Sequence, residues 1–244
     1  MNYRTRRIIF ALLPLAALAI YLIANPASYE SVPSVDNTNS GAVEPLGVTT
    51  ASPTDPNAKL AKDVLEQLEI KGRAPKTGYA RTEFYNNWPN VDGCSLRQII
   101  IKREVGDTAE MNGCDVVAGT FTEPYTGQTF TATQKSDFSN HIQIDHVVAL
   151  SDAWQKGAQY KTKEERYAMA TDPLNLLAVD SNANQQKSDG DAATWLPPNK
   201  SFRCQYVARQ VSVKYKYGLW ITEAEHDAIF SILENCPNEP AIGI

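Results

Sequence analysis

The clearest hydrophobic pattern in this chain is a pair of short stretches, 141–149 and 174–179, whose apolar residues are aliphatic and closely spaced. Runs of this length, rich in aliphatic and β-branched residues, are typical of strands buried on both faces. Between them, Thr162 and Glu165 stand three positions apart, as in a capping box, and predict a helix that ends near Ala170. The pattern therefore predicts two buried strands with a helical connection between them.

Helical spacing of apolar residues occurs on both sides of the two predicted strands, before them and after them in the chain. Toward the amino end, Leu60, Val64 and Leu68 lie on one face of a predicted amphipathic helix. Toward the carboxyl end, the pattern predicts a long helix at 202–217 and a last helix that Thr222 caps. Helices therefore flank the two predicted strands in the sequence.

The segments between these elements predict further strands and short helices. Residues 116–120 and 129–133 flank the turn sequence 124–127 and predict a β-hairpin. The apolar centre of 96–105 fits either a strand or a helix. Ser151 and Asn182 are predicted to cap two short helices. Because strands and helices mix without regular alternation, the predicted fold class is α+β.

The amino-terminal part of the chain differs in composition from the rest. Residues 1–24 carry three arginines and then an apolar run at 8–24, which predicts a signal peptide or an N-terminal membrane anchor. Residues 25–57 are rich in small and polar residues, which predicts a disordered linker. Residues 58–244 remain as one domain, large enough to bury a core.

The four cysteines agree with an exported protein. They are Cys94, Cys114, Cys204 and Cys236, and their spacing does not match a C-x-x-C zinc site. Three disulfide pairings are open, and we favour the nearest neighbours, 94–114 and 204–236. The alternative, four reduced thiols in a cytosolic protein, conflicts with the amino-terminal pattern.

The charge of the chain limits how it can bind nucleic acid. Its net charge of −5 argues against unspecific coating of a polyanion, although local charge matters more at a binding site. Six lysines and arginines at 187–216, interleaved with tyrosines, fit either a solvated helix face or a nucleic-acid track. The sequence leaves both interpretations open.

Five polar residues follow the two predicted strands in a suggestive order. Asp145 and His146 lie at the end of the first strand, Asn175 opens the second, and Asn184 and Lys187 follow it. A neutral imidazole can take a proton from water near neutral pH, so His146 is the candidate general base. Asp145 and Asn184 offer oxygen ligands for a hard cation, and Lys187 is a candidate contact to phosphate. This set is typical of a one-metal phosphodiesterase.

Two features of this set qualify the prediction. Asp145 and His146 are neighbours on a strand, so they serve one site only if the strand ends, twists or bulges there. The carboxylate and amide oxygens favour Mg²⁺, with Mn²⁺ as an alternative, over a softer metal such as Zn²⁺. We therefore predict one divalent cation, with Mg²⁺ favoured over Mn²⁺.

These residues and several others resemble a known family. Segments 71–79, 143–150, 191–200 and 206–210 together look like the exported branch of the His-Asn-His (HNH) endonucleases. That branch is similar to the C-terminal nuclease domain of GmrSD-type restriction enzymes. The resemblance covers roughly 58–237 and is specific as a block, although each short motif alone is weak.

The resemblance implies a fold and roles for the site residues. It implies a ββα-metal core, in which two strands and a helix surround one ion, with additional helices, and it favours a helix at 96–105. It also implies that Asn175 acts indirectly, by pinning the backbone so that His146 is oriented. The ion would stabilise the departing 3′ oxygen. Many relatives have histidine where this chain has Asn184.

Two functions of different kind follow from this pattern. The first is a secreted or membrane-anchored, metal-dependent endonuclease acting on DNA or RNA, with DNA favoured. The second is a non-catalytic cell-surface binding module on the same fold. The intact set of Asp145, His146, Asn175 and Asn184 favours the enzyme. A restriction subunit is disfavoured by the export pattern and by the lack of a nucleotide-binding glycine loop.

Overall fold

The computed structural model describes residues 58–244. The predicted signal peptide or anchor at 1–24 and the predicted linker at 25–57 lie outside the described residues. Among the residues that are described, the helices are too short and too polar to cross a membrane.

The described chain mixes helices and short strands, which confirms the predicted α+β class. The helices are α1 (Ala61–Leu65), α2 (Leu96–Val105), α3 (Lys135–His141), α4 (Leu150–Gln155), α5 (Lys163–Thr171), α6 (Ser181–Lys187), α7 (Arg203–Lys216) and α8 (Glu223–Leu233). The strands are β1 (Asn90–Val91), β2 (Cys94–Ser95), β3 (Glu110–Asn112), β4 (Asp115–Thr122), β5 (Thr129–Ala132), β6 (Ile142–His146) and β7 (Leu176–Asp180).

Strands β6 and β7 form the sheet that carries the candidate site. They pair antiparallel, with His146 opposite Leu176 and Ile142 opposite Asp180. Helix α6 follows β7 without a loop. The order strand–strand–helix is the one that the ββα resemblance implied, with α4 and α5 inserted between the two strands.

Both faces of this sheet are buried, as predicted for the two strands. Leu177 and Val179 pack in the same hydrophobic cluster as Val207 and Val211 of α7. The alternate residues of both strands, such as Leu176, pack in a second cluster with α2. Side chains on a strand alternate between its faces, so β7, which is covered on both sides, is apolar at four of its five positions. Strand β6 instead carries the buried polar residues Asp145 and His146.

Most local predictions for this part of the chain are confirmed. Residues 96–105 form helix α2, as the resemblance favoured, and β4 and β5 form the predicted hairpin. Thr162 caps α5 in a full capping box with Glu165. Thr222 caps α8, and its side chain accepts a hydrogen bond from the Glu225 N–H.

The predicted caps at Ser151 and Asn182 are wrong. Helix α4 begins after Ala149 without a side-chain cap, and the Ser151 hydroxyl instead donates a hydrogen bond of 3.0 Å to Asp189. Helix α6 is capped by Asp180, whose carboxylate accepts from the Ala183 N–H at 2.8 Å. The strand continues up to the helix, so its last residue takes the capping position.

The nearest-neighbour disulfide pairing is confirmed. Cys94 bonds Cys114, with Cα atoms 5.4 Å apart, and Cys204 bonds Cys236, with Cα atoms 6.3 Å apart. The second bond ties the start of α7 to the segment after α8, and the first links β2 to the turn between β3 and β4. Both bonds therefore join segments that are distant in the chain.

We expect reduction of the purified protein to lower its melting temperature. Each bond closes a loop of 20 or 32 residues, which corresponds to about 3 kcal/mol of stabilisation on the loop-entropy model. Thermal unfolding with and without reductant measures the effect. A variant with all four cysteines replaced by serine is the control, because reductant should leave its unfolding unchanged. Four free thiols in exported material, found by mass spectrometry, would contradict the pairing.

Candidate active site

One cleft brings together most of the residues predicted to form a site. It has a volume of about 290 Å³ and lies where the end of β6, the start of α4 and helix α6 meet. The side chains that matter to its chemistry are those of Arg81, Asp145, His146, Ser151, Asn184 and Asp189. Asn175 and Lys187 lie next to this cleft and contact its walls from inside the protein.

His146 lies in the wall of the cleft, and one of its ring nitrogens is hydrogen-bonded. Its Nε2 atom is 2.9 Å from the carbonyl oxygen of Ala170. A carbonyl only accepts hydrogen bonds, so the proton is on Nε2 and the lone pair is on Nδ1. The ring stacks on Trp88, with centroids 5.8 Å apart and an angle of 9° between the planes, and also packs on Tyr85.

Burial keeps this imidazole neutral. The pKa of His146 is lowered to about 3, mainly because burial disfavours the charged form and secondarily because Arg81 lies nearby. At neutral pH the ring is therefore uncharged, with its lone pair on Nδ1. His146 lines the cleft together with Asp145 and Asn184.

Asp145 lines the same cleft although it points to the opposite face of β6. Strand β6 ends at His146, so the two neighbours can border one space, which meets the condition stated from the sequence. The carboxylate is buried and accepts hydrogen bonds from the Tyr125 hydroxyl and from Lys187 Nζ, the latter at 2.9 Å. Burial raises the pKa of Asp145, and the Lys187 charge opposes that shift.

Asn184 presents its amide to the cleft from α6. Its Nδ2 atom donates to Gln143 Oε1 at 2.8 Å, which fixes the orientation of the amide. Within residues 58–244, Oδ1 accepts no hydrogen bond from the protein, so this oxygen is available to a ligand. The predicted pair Asp145 and Asn184 thus borders one cleft and offers hard oxygen atoms.

Asn175 is fully buried and holds the backbone that follows His146. Its Oδ1 accepts from the Val148 N–H at 2.8 Å, and its Nδ2 donates to the Val148 carbonyl at 3.3 Å. Its own carbonyl accepts from the Val147 N–H at 2.9 Å. These bonds join the start of β7 to the residues directly after His146. The indirect role that the resemblance implied has a geometric basis here.

Lys187 does not lie where a phosphate contact was predicted. Its side chain is fully buried, and its ammonium donates to Asp145 Oδ1 and to the His146 carbonyl, both at 2.9 Å. Helical periodicity turns Lys187 inward beneath the sheet, so the charge supports the Asp145–His146 backbone instead of facing solvent.

The basic segment at 187–216 is likewise not a continuous surface. Lys187, Arg209 and Lys214 are all buried, and Lys214 pairs with Asp152 and Glu225. The interpretation of this segment as a nucleic-acid track is therefore wrong. The sequence pattern could not distinguish solvated lysines from lysines that face buried carboxylates on other helices.

Arg81 is a residue of the cleft that the sequence analysis did not single out. It is exposed, it lies over the Tyr85 ring at 5.2 Å, and it donates a hydrogen bond to the Tyr85 hydroxyl. Among the described residues it forms no ion pair with a carboxylate, whereas Lys76 in the same region pairs with Asp189. Arg81 is 65 positions before His146, so no local motif connects them.

One other group of side chains has the residue types of a metal site. It contains Cys204, Cys236 and Glu239. Both cysteines are oxidised to a disulfide, and metals bind the thiolate form, so this group does not suit a metal. Among the described residues, the oxygen ligands of the cleft remain the better candidates.

Comparison with known proteins shows the family of this chain. The family model for the C-terminal domain of GmrSD restriction endonucleases matches residues 101–232, which include both strands and α6. The chain is also 36% identical over 202 residues to an uncharacterized secreted protein of Arthroderma benhamiae, a match that covers 80% of this chain and 95% of that protein. No solved structure matches the chain.

Proposed function

This chain belongs to the family of the C-terminal domain of GmrSD restriction endonucleases, a nuclease family, and from that premise we propose that it is an exported, metal-dependent endonuclease. It hydrolyses phosphodiester bonds in nucleic acid, with DNA as the favoured substrate. The observation that carries this proposal is the neutral imidazole of His146 beside the oxygen atoms of Asp145 and Asn184 in one cleft.

His146 is the general base in this proposal. Its Nε2–H is held by the Ala170 carbonyl, so Nδ1 is the atom that takes a proton from the attacking water. Asn175 is a positioning residue, because it fixes Val147 and Val148 directly after His146. A ring that is fixed by a hydrogen bond and by stacking loses little entropy when it reacts.

Asp145 and Asn184 would hold one divalent cation, Mg²⁺ or Mn²⁺. The donor set fits a hard ion, because Asn184 Oδ1 is free and each Asp145 oxygen keeps a lone pair beyond the bond it already accepts. When bound, such an ion relieves negative charge on the phosphate and on the departing oxygen. Tyr125 and Lys187 fix the Asp145 carboxylate, as residues behind a metal ligand commonly do.

Arg81 replaces Lys187 as the residue that contacts the scissile phosphate. It is an exposed cation of the cleft without a carboxylate partner in residues 58–244, and Tyr85 holds its guanidinium in place. A guanidinium can bind two phosphate oxygens at once, and less side-chain freedom is lost when it is already oriented.

We expect Arg81→Ala to lower kcat/KM for DNA cleavage by roughly 10–100-fold, since one charge-assisted pair of hydrogen bonds is lost. Arg81→Lys should keep part of the activity, because the charge remains but the two-oxygen geometry does not. Steady-state kinetics on a defined oligonucleotide measures both variants.

Lys135→Ala is the matched control for this experiment. It removes one positive charge at an exposed site that pairs with Asp115, away from the cleft. Equal losses for Arg81→Ala and Lys135→Ala would mean that only the overall charge matters, which would contradict a specific role for Arg81.

Export is proposed on three grounds. The amino-terminal pattern predicts a signal peptide or an N-terminal membrane anchor at 1–24, the relative from Arthroderma benhamiae is described as secreted, and both disulfides suit an oxidising compartment. The anchored form would hold the nuclease domain at the membrane through a linker at 25–57.

The decisive experiment is a cleavage assay with the purified full chain on plasmid DNA and on RNA. We expect cleavage with Mg²⁺ or Mn²⁺ and none in excess EDTA, with activity restored when the metal is added back. Undiminished cleavage in EDTA would exclude the one-metal mechanism. No cleavage of either substrate with either metal would favour the alternative, a cell-surface binding module.

A further inference from the structure

A second cavity lies on the far side of β7 from its partner strand, and it is lined by two arginines. It has a volume of about 400 Å³, and its wall includes Arg103, Glu104, Gln205, Phe202 and Arg209. Neither the candidate mechanism nor the sequence motifs assign it a role. The buried arginine in its wall, Arg209, distinguishes it from an ordinary surface depression.

Arg209 is a buried cation without a compensating charge. It is only 4% exposed, and within residues 58–244 its single hydrogen bond runs from Nη1 to the Leu174 carbonyl at 2.9 Å. Its Nε atom is buried and has no hydrogen-bond partner among the described residues. Arg209 also forms no ion pair with a carboxylate in this part of the chain. A buried charge in this state is costly unless an anion accompanies it.

Arg103 adds no net charge to the cavity, because its own charge is balanced by Glu104. Its Nε donates to Glu104 Oε1 at 3.0 Å, and its Nη2 also contacts that oxygen. The three charged groups of the cavity therefore sum to one positive charge, which belongs to Arg209. Burial and the nearby Arg103 lower the pKa of Arg209 to about 10, so it is still cationic at neutral pH.

We propose that this cavity binds an oxyanion, a phosphate or carboxylate group, on the Arg209 guanidinium. Arg209 lines this cavity, and its Nε has no hydrogen-bond partner among residues 58–244. A guanidinium presents its donors in a planar fork that matches two oxygens of such a group. The volume exceeds what a bare phosphate needs, and Phe202 supplies an apolar wall. The ligand therefore carries a small organic part beside its anionic group.

The two arginines connect this cavity to the turn that carries Asn175. Arg103 donates to the Pro173 carbonyl at 2.9 Å and to the Leu176 carbonyl at 2.6 Å. Arg209 donates to the carbonyl of Leu174, which lies between these two residues in the chain. An anion on Arg209 thus binds directly behind the residue that positions the His146 loop. Occupancy stabilises this turn, and through it the candidate active site.

The test uses thermal unfolding of the full chain in EDTA, so that no substrate is cut. Sodium phosphate, compared with sodium chloride at equal ionic strength, should raise the wild-type melting temperature by roughly 5 °C in a saturable manner. Arg209→Met should lose this rise. Arg166→Met is the matched control, because Arg166 is a buried arginine that is satisfied by Glu83 and lies outside the cavity.

Gln205→Glu provides an independent variant that should fold, because Gln205 is partly exposed on α7. The new carboxylate would act as an internal anion, so the melting temperature should rise without phosphate and no longer respond to it. A rise for wild type that both Arg209→Met and Gln205→Glu retain would overturn the proposal, as would the absence of any saturable rise.

A short oligonucleotide in EDTA distinguishes the source of the phosphate. If it raises the melting temperature of wild type but not of Gln205→Glu, the cavity takes a phosphate of nucleic acid. If only inorganic phosphate does so, the ligand is a free anion. Both results support the oxyanion site, and neither depends on whether the protein cleaves nucleic acid.

Discussion

Replacement of His146 by alanine is expected to lower the rate of nucleic-acid cleavage by about 10²–10⁴-fold while metal binding survives. The imidazole is assigned to proton transfer, and Asp145 and Asn184 are assigned to the ion. Loss of the base should therefore reduce kcat and leave the metal concentration for half-maximal activity unchanged. Steady-state kinetics and metal titration by calorimetry measure the two quantities separately.

The alanine variant also removes packing, so a second variant is needed. Truncation leaves the Ala170 carbonyl without its partner and removes the stack on Trp88, which costs about 1–3 kcal/mol of stability. His146→Gln can restore a donor to Ala170 but cannot act as a base. We expect it to be as inactive as the alanine variant and more stable.

His226→Ala is the control for these variants. His226 lies on α8, near Glu66 and outside the cleft, so its removal should leave cleavage unchanged. If His146→Ala abolished metal binding instead of proton transfer, the roles of His146 and Asp145 would have to be exchanged. If His146→Gln kept wild-type activity, the general-base assignment would be wrong.

Asn184→Ala is expected to raise the metal concentration needed for activity, with a loss of at least about 100-fold at limiting Mg²⁺ that excess metal partly restores. Removal of a ligand weakens ion binding, and mass action can recover occupancy. Asn184→His should keep more activity in Mn²⁺ than the alanine variant, because imidazole is a competent ligand for that ion.

The alternative role for Asn184 predicts a different result. Its amide bonds Gln143 and so links α6 to β6, and loss of that bond alone would cost about 1 kcal/mol of stability. Gln143→Ala is the matched control, since it breaks the same hydrogen bond without touching the free Oδ1. Superimposable metal titrations for wild type and Asn184→Ala would exclude the ligand role.

Sequence alone determined the features that depend on neighbours along the chain. The aliphatic residues of 141–149 and 174–179 predicted β6 and β7. The signal is clearest in β7, because a strand buried on both faces is apolar at almost every position. Thr162 and Glu165 predicted their capping box, because both partners lie in one helical turn. The order of Asp145, His146 and Asn184 around these strands identified three residues that border one cleft.

Tertiary structure alone decided where each charge faces and which distant residues join the site. Lys187 and Lys214 read as solvated or nucleic-acid-binding in the sequence, yet both are buried against carboxylates from other elements. Arg81 enters the cleft from a segment far from the strands, and Arg209 faces a cavity that no motif indicates. The physical reason is that hydrophobic periodicity indicates which face of an element is buried, whereas the partner of a buried charge depends on how distant elements pack together.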